Sequence, residues 1–235
     1  MGFRGKTALV TGGTGALGNT VVQHFFDAGA NLALPVHSDR HLSPITERLV
    51  GSRLHAGVAD VTSEGDVARF VSEVEQRFGG IDFLVNLAGG FAGGNLIEET
   101  SIDEWRDMMS MNLRSAFLMC RASLRTMRAR KSGRIVNVAA MPALASGAKK
   151  GPYAISKRGV VTLTEILADE VRGSGITANA IAPSIILTEA NKLSMPDADF
   201  KKWVTPGEIA NLILYLCSDD ARSINGNTIK IYGGM

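Results

Sequence analysis

Tyr153 and Lys157 are four residues apart in a long stretch of helical character, a spacing that would let them act together. On a helix, residues four apart project from the same face, so the phenol and the ammonium would lie side by side. A phenol has a reference pKa of about 10, and an adjacent positive charge lowers that pKa by favouring the phenolate. The spacing is common on ordinary helices, but it predicts a general acid or base if a second motif supports it.

A glycine-rich segment near the amino terminus supplies that second motif. Thr11 to Gly18 reads Thr-Gly-Gly-Thr-Gly-Ala-Leu-Gly, and it follows a short apolar segment and precedes a stretch of helical character. Glycines allow a tight turn and let backbone N–H groups approach a pyrophosphate at a helix amino terminus. Because the segment joins a predicted strand to a predicted helix, it predicts a dinucleotide-binding loop.

The elements that must position these residues are short β-type segments alternating with amphipathic helical segments. This alternation predicts an α/β fold, with a Rossmann-like, doubly wound, mainly parallel sheet of about seven strands and helices on both faces. Apolar residues at helical spacing predict core-facing helices at Val67 to Phe78 and Ile209 to Leu216. Strands are predicted at residues 7–10, 31–36, 81–86, 133–138, 176–181 and 228–231.

Composition and charge favour a single domain with a small-molecule partner. The chain has 235 residues, of which 45% are hydrophobic, so we expect one domain over residues 1–235 with one large core. The 25 basic and 23 acidic residues are interspersed, and the formal net charge of +2 gives no reason to expect nucleic acid.

Membrane, export and metal functions are disfavoured. No apolar segment approaches the roughly 20 residues that cross a bilayer, so we expect no membrane association. The amino terminus lacks the apolar stretch and cleavage site of an export signal, so we expect a cytoplasmic protein. Cys120 and Cys217 have no neighbouring metal ligands, which predicts two buried free thiols and no metal site.

With both motifs present, the chain resembles the short-chain dehydrogenase/reductase superfamily from Lys6 to Gly234. Within its single-domain branch, the chain resembles the 3-oxoacyl-acyl-carrier-protein reductases. Further segments match family motifs in the same order. Asp60-Val61 resembles the pair that contacts adenine, and Asn86-Leu87-Ala88-Gly89 resembles the Asn-Asn-Ala-Gly segment. Asn112 resembles the helical asparagine that anchors a water, and Pro183 to Thr188 resembles the segment that holds the nicotinamide carboxamide. Gly226 and Ile231-Tyr232-Gly233-Gly234 resemble the last strand, with Tyr232 in place of an aspartate.

The resemblance implies hydride transfer between nicotinamide and a carbonyl carbon, with Tyr153 giving the oxygen its proton. It implies that Lys157 holds the nicotinamide ribose and lowers the pKa of the tyrosine, and that Asn112 organises a water chain. Tyr153, Lys157 and Asn112 are therefore the expected catalytic residues. The expected cofactor-binding residues are Gly12, Thr14, Ala16, Leu17, His37, Asp60, Val61, Asn86, Ala88, Gly89, Tyr153, Lys157, Pro183, Ile186 and Thr188.

One departure from the family bears on the substrate. Thirteen residues before Tyr153 the family places a serine that stabilises the developing negative charge, and here that residue is Ala140. Loss of one such donor typically costs about 10²- to 10³-fold in rate. Three explanations stay open: Ser146 supplies the hydroxyl, the substrate is quinonoid as in dihydropteridine reductases, or the protein is a non-catalytic NAD(P)-binding sensor.

Two other departures concern the cofactor. Ala16 stands where the main branch of the family has glycine, which is tolerable only if φ at Ala16 is negative. The acidic residue that binds the ribose of NAD should stand seven residues after Gly29, and that residue is Val36. Its absence, with His37 following, favours NADP over NAD.

Residues 188–205 should form a short lid over the substrate pocket. The resemblance implies a homotetramer, with the helices of Asn112 and Tyr153 pairing across one interface and the last helix and strand across another. The resemblance to 3-oxoacyl-acyl-carrier-protein reductases also implies an acyl carrier protein as a partner, docked on five cations that end two predicted helices. The alternative is that these cations complement helix carboxyl termini. These cations are Arg125, Arg128, Arg130, Lys131 and Arg172.

Overall fold

A seven-stranded sheet with every neighbouring pair of strands parallel forms the centre of the molecule. The computed structural model describes residues 2–38, 40, 49 and 51–235. The strands are β1 Thr7–Thr11, β2 Asn31–Val36, β3 Leu54–Val58, β4 Phe83–Asn86, β5 Gly133–Val138, β6 Ile176–Pro183 and β7 Thr228–Ile231. Their order, β3-β2-β1-β4-β5-β6-β7, confirms the Rossmann-like, doubly wound sheet of seven strands.

Helices cover both faces of the sheet. They are α1 Ala16–Asp27, α2 Glu64–Phe78, α3 Ile102–Met108, α4 Ser115–Arg130, α5 Met141–Leu144, α6 Gly151–Glu170, α7 Glu189–Ser194 and α8 Pro206–Cys217. A π-helical segment, Met109–Arg114, joins α3 to α4. No helix within the described ranges has the length and apolar character needed to span a membrane.

Successive strand residues face opposite cores, as β1 illustrates. Ala8 and Val10 pack into the core formed with α1 and α8, whereas Leu9 packs into the core formed with α2, α4 and α6. Because both faces of the sheet are covered, its strands are almost continuously apolar. The apolar stripes at Val67 to Phe78 and Ile209 to Leu216 lie on α2 and α8, as predicted.

Strand β3 has no counterpart among the six strands that the sequence predicts. It lies at the edge of the sheet, and its residues Leu54–Val58 include a glycine and a half-buried His55 that hydrogen-bonds to Glu73. An edge strand needs only one apolar face, so its sequence carries a weak signal. Cys120 and Cys217 are buried free thiols, as expected, and burial raises the pKa of the Cys120 thiol to about 12.

Parallel pairing brings the carboxyl ends of all seven strands to one edge of the sheet. Connections leave this edge in opposite directions after β1 and β4, which pair with each other, so a crevice opens between them. Ligands of doubly wound folds bind at such a switch point. Every residue that the sequence predicts for the site ends or follows a strand at this edge, or lies on α1, α6 or the π-helical segment.

Candidate active site

The glycine-rich loop after β1 is shaped by close backbone contacts. Gly12 has a φ of +67°, and a Cβ there would lie 2.9 Å from the backbone nitrogen of Ala88. At Gly18 a Cβ would lie only 2.0 Å from the carbonyl oxygen of Gly12, so α1 packs against the loop without a side chain between them. The hydroxyl of Thr11 accepts a hydrogen bond of 3.0 Å from the Ala88 N–H, which joins this loop to the segment after β4.

The amino terminus of α1 is open to an anion. Gly15 is the N-cap and contributes no side-chain hydrogen bond, so the first-turn N–H groups have no side-chain acceptor. These N–H groups and the positive end of the helix dipole suit a pyrophosphate. Ala16 is the first residue of α1 and is not among the described residues with positive φ, so the expectation of a negative φ is confirmed. Asn19 holds the loop by donating to the Thr14 carbonyl at 2.9 Å.

Lys157 is buried beneath the site. Only 6% of the residue is exposed, and its Nζ donates a hydrogen bond of 2.8 Å to the carbonyl of Val138 at the end of β5. Burial lowers the pKa of Lys157 to about 8, because an ammonium out of water loses its hydration. The lysine therefore remains mostly protonated at neutral pH but titrates just above it.

Tyr153 lies one helical turn before Lys157 in α6 and is half-buried. Burial raises the pKa of Tyr153 to about 12. The expected lowering of this pKa by Lys157 is therefore wrong for this structure. The physical reason is that the phenol loses hydration while the lysine ammonium is directed to the Val138 carbonyl.

Asn112 lies in the π-helical segment, is 1% exposed and ties three elements together. Its Oδ1 accepts from the Gly90 N–H at 2.9 Å, and its Nδ2 donates to the Gly90 carbonyl at 3.1 Å. The same Nδ2 donates to the hydroxyl of Ser156 at 3.0 Å, which connects Asn112 to α6. Local π-helix is rare and is frequently found at functional sites.

Gly89 marks the point where these residues meet. A Cβ on Gly89 would lie 2.5 Å from Asn112 Oδ1 and 3.2 Å from Lys157 Nζ. The structure therefore brings the predicted residues Lys157 and Asn112 together. Lys157 lies on the face of α6 that also carries Tyr153. It also places beside them a residue that the sequence did not single out, Phe91, whose ring is 5.0 Å from that of Tyr153.

Ala140 lies at the end of β5 and is the N-cap of α5, with 6% of the residue exposed. Its neighbours Ala139 and Ala143 are buried with Val161 and Ala182 in a small apolar core. Ser146 is exposed, and its hydroxyl donates to the Pro142 carbonyl at 3.2 Å. The Ser146 hydroxyl is thus bonded within its own segment.

Comparisons with known proteins agree with this geometry. The family model described as enoyl-(acyl carrier protein) reductase matches residues 13–235. The chain is 31% identical to the D-beta-hydroxybutyrate dehydrogenase of Rhizobium meliloti over 97% of this chain and 98% of that protein. It is also 31% identical to the 3-oxoacyl-(acyl-carrier-protein) reductase FabG of Vibrio cholerae, over 100% of this chain and 99% of that protein. The chain belongs to the short-chain dehydrogenase/reductase family.

As a member of the short-chain dehydrogenase/reductase family, the protein is an oxidoreductase. Among solved structures, that of ElxO with NADP bound has a TM-score of 0.91 and 25% identity, and the match covers 97% of this chain and 98% of that chain. The likeness extends over the whole sheet and its carboxyl edge.

Val36 closes β2 and is 2% exposed. His37 follows it and is exposed, so neither of these two residues provides a carboxylate at the end of β2. Asp60 follows β3, and its Oδ1 accepts from the N–H and the hydroxyl of Thr62 at 2.8 and 2.7 Å. Val61 packs half-buried against the core on the α2 face.

Asn86, at the end of β4, has its side chain inside the protein. Its Nδ2 donates to Asn137 Oδ1 at 2.8 Å, and its own Oδ1 is buried without a partner among the described residues. Asn137 in turn donates to the Thr164 hydroxyl at 2.9 Å on α6. The buried amides thus connect β4 and β5 to the helix that carries Tyr153.

The segment after β6 runs beside the carboxyl end of β7. Pro183 is buried and ends β6, and the Ser184 hydroxyl donates to the Tyr232 carbonyl at 2.9 Å. Ile186 pairs with Val204 across the region expected to form the lid. Thr188 caps α7 by accepting from the Asn191 N–H at 3.2 Å.

The basic residues considered for carrier docking lie at the opposite edge of the sheet. Arg128 donates to the Glu170 carbonyl at 3.2 Å near the carboxyl end of α6. Arg130 pairs with Asp82 at 2.9 Å, and Arg172 pairs with Asp169. These contacts agree with the alternative in which the cations complement helix carboxyl termini and pair with a buried carboxylate.

Proposed function

We propose that the protein is an NADPH-dependent reductase of a carbonyl compound, a ketone or a 3-oxoacyl derivative, with Tyr153 as the proton donor. One observation carries the proposal: Asn112 and Lys157 converge on Gly89, where a Cβ would lie 2.5 and 3.2 Å from them. Any side chain at residue 89 would displace both polar groups, so the glycine lets Asn112 and Lys157 lie together against the segment after β4. The names of the relatives, a hydroxybutyrate dehydrogenase and a 3-oxoacyl reductase, support the substrate class.

The residues around the crevice fit a nicotinamide dinucleotide. At Gly12 and Gly18 a Cβ would clash with the backbone of Ala88 and of Gly12, so the glycines keep the loop close to the segment after β4 and to α1. The first-turn N–H groups of α1, including those of Ala16 and Leu17, would hold the pyrophosphate. His37, Asp60 and Val61 would border the adenosine, Ala88 and Gly89 the centre, and Pro183, Ile186 and Thr188 the nicotinamide. Asn86 would border the cofactor from its position at the end of β4, since its Nδ2 is engaged with Asn137.

NADPH is proposed over NADH because Val36 leaves no carboxylate to repel a 2′-phosphate or to bind a 2′-hydroxyl. Exposed His37 and Arg40 follow β2 and can donate to a phosphate. The NADP-bound structure of ElxO supports binding of this cofactor class. When bound, the cofactor supplies the hydride.

Tyr153 and Lys157 would carry out the parts of the reaction other than hydride transfer. The pKa of about 12 keeps the proton on Tyr153 at neutral pH, so the phenol is ready to donate it to a carbonyl oxygen that gains negative charge. The Lys157 ammonium holds the ribose and stabilises the phenolate after the transfer. Asn112 positions the segment after β4 through Gly90 and would organise the water that returns the proton.

A second candidate function is reduction of a quinonoid or otherwise conjugated substrate. Ala140 favours it, since a methyl side chain at this position offers no hydroxyl to an oxyanion. A conjugated substrate spreads the developing charge and depends less on that donor. The Ser146 hydroxyl, exposed and bonded to Pro142, gives little support to a displaced donor.

A homotetramer is the proposed assembly. An apolar groove on α3, the π-helical segment and α4 exposes Trp105 and Phe117, and Met109, Leu113 and Leu163 line it. Burial of such a groove against a second copy would remove apolar surface from water.

Measurements of cofactor binding and of turnover test the proposal directly. NADPH and NADH binding is measured first, followed by NADPH consumption with a 3-oxoacyl thioester, a panel of ketones and quinonoid dihydropterin. We expect tighter binding of NADPH and turnover of at least one ketone or thioester. Tight NADPH binding with no turnover across the panel would instead support a non-catalytic NAD(P)-binding sensor.

A further inference from the structure

Phe91 is a large apolar side chain left open to solvent next to the proposed proton donor. Its ring meets the Tyr153 ring edge to face, with centroids 5.0 Å apart and an interplanar angle of 83°. The contact covers little of the side chain, because 63% of Phe91 remains exposed. Exposed apolar surface beside a reactive group is typical of a ligand-binding wall, since a ligand that covers it releases water.

The segment that carries Phe91 is fixed on its amino-terminal side by Asn112. The amide of Asn112 binds both the N–H and the carbonyl of Gly90, at 2.9 and 3.1 Å. Two hydrogen bonds from one buried side chain fix the peptide groups on either side of Gly90. The direction in which the chain enters Phe91 is therefore set by the same residue that contacts α6 through Ser156.

On its carboxyl-terminal side the segment is fixed by the loop before α6. Gly94 donates to the Lys149 carbonyl at 2.8 Å. A Cβ at Gly93 would lie 2.7 Å from the same carbonyl and 3.2 Å from the Phe91 ring. Lys149 has a φ of +62°, and strained backbone of this kind persists where surrounding contacts hold it. The backbone that carries Phe91 is thus anchored on both sides.

The rest of the proposed substrate site offers few polar groups. Ala140 supplies no hydroxyl where the family has a serine. The site therefore combines one phenol, an alanine in place of the usual hydroxyl donor, and an exposed aromatic ring on an anchored segment. This combination suits a carbonyl group attached to a planar apolar group, which stacks on an aromatic ring and also spreads the developing charge.

We propose that Phe91 is a specificity-determining residue whose ring binds an aryl or cyclic conjugated group attached to the reacting carbonyl. This inference rests on the proposed function, because it names the substrate class of the same site. Its chemistry is that of the proposed reaction: hydride from NADPH forms a C–H bond at the carbonyl carbon, the oxygen takes the Tyr153 proton, and NADP⁺ is released.

Two vicinal diketones that differ only in the apolar group provide the test: 1-phenylpropane-1,2-dione and butane-2,3-dione. Steady-state constants are measured for the wild type and for Phe91→Ala and Phe91→Leu. Binding of each diketone to the complex with NADP⁺ is measured by calorimetry, which needs no hydride transfer. Phe78→Ala is the matched control, since Phe78 is half-buried at the end of α2, at the opposite edge of the sheet.

For Phe91→Ala we expect the KM and the Kd of the phenyl diketone to rise by about tenfold, with kcat within threefold. The constants for butane-2,3-dione should change less than threefold, and Phe91→Leu should fall between wild type and Phe91→Ala. Phe78→Ala should leave the ratio of kcat/KM for the two diketones unchanged.

Equal effects of Phe91→Ala on both diketones, or an effect on kcat alone, would overturn the inference while leaving the proposed function intact. Phe91-dependent binding without turnover by the wild type would overturn the proposed reaction but keep the aromatic site.

Discussion

The ammonium of Lys157 donates a hydrogen bond of 2.8 Å to the carbonyl of Val138, and this contact ties α6 to the end of β5. The charge is almost entirely out of water, which lowers the pKa of Lys157 to about 8. The contact therefore places a cation where the proposed reaction needs one, at a cost in folding free energy.

Lys157→Met should abolish turnover and leave the protein at least as stable as the wild type at pH 7. Methionine has a similar volume and carries no charge to desolvate, although the Val138 carbonyl loses its donor at a cost of about 1 kcal/mol. The variant should gain on the order of 1–2 kcal/mol in the free energy of unfolding, measured by urea denaturation.

The difference in the free energy of unfolding between wild type and Lys157→Met should change with pH in one direction. The folded-state pKa of about 8 lies below the ordinary value of 10.5, so the unfolded chain binds more protons between these pH values. The wild type should therefore gain stability relative to the variant as pH rises from 8 to about 10.5, by on the order of 3 kcal/mol. A difference that stays constant from pH 7 to 10.5 would show that folding does not lower the pKa of Lys157.

Ala140→Ser should restore the missing hydroxyl donor in a substrate-dependent way. For an unconjugated ketone we expect kcat/KM to rise about tenfold or more, because the serine stabilises the developing oxyanion. For a conjugated diketone the change should be less than threefold. Ser146→Ala serves as the control and should leave kcat unchanged, since that hydroxyl already donates to Pro142; a loss of turnover there would assign the donor role to Ser146.

Val36→Asp should change the cofactor preference. A carboxylate at the end of β2 accepts hydrogen bonds from the ribose of NADH and repels the 2′-phosphate of NADPH. The ratio of the two dissociation constants, measured by fluorescence titration, should move towards NADH by about tenfold or more. An unchanged ratio would mean that the 2′-phosphate does not lie near residue 36.

Asn112→Ala should destabilise the segment that carries Phe91. It removes the hydrogen bonds to the Gly90 N–H, the Gly90 carbonyl and Ser156, so we expect a loss of about 2–4 kcal/mol in the free energy of unfolding. Ser156→Ala removes only one of these bonds and should cost about 1 kcal/mol. Equal losses in the two variants would show that the contacts to Gly90 contribute nothing.

Sequence patterns predicted the sheet well, because parallel strands that are buried on both faces are strongly apolar. The glycine loop was predictable for a similar reason: Gly12 and Gly18 are required by backbone contacts that no other residue allows. Strand β3 was missed because an edge strand with His55 needs little apolar character.

Other features of the site depend on contacts between distant segments. Nothing in the order of residues 109–114 distinguishes a π-helical segment from an α-helix, and Gly90 reaches Asn112 only in the folded chain. Phe91 follows a family motif, but its exposure beside Tyr153 depends on the loop that contains Lys149. The direction of the Tyr153 pKa depends on burial, which the four-residue spacing to Lys157 does not determine.

Single-turnover NADPH oxidation by Tyr153→Phe, measured by stopped flow with a ketone that the wild type reduces, tests the central claim most directly. Phenylalanine keeps the ring against Phe91 and removes only the hydroxyl group. We predict a rate lower by about 10²- to 10⁴-fold, with the dissociation constant for NADPH within threefold of the wild type. A rate within tenfold of the wild type would contradict the assignment of Tyr153 as the proton donor.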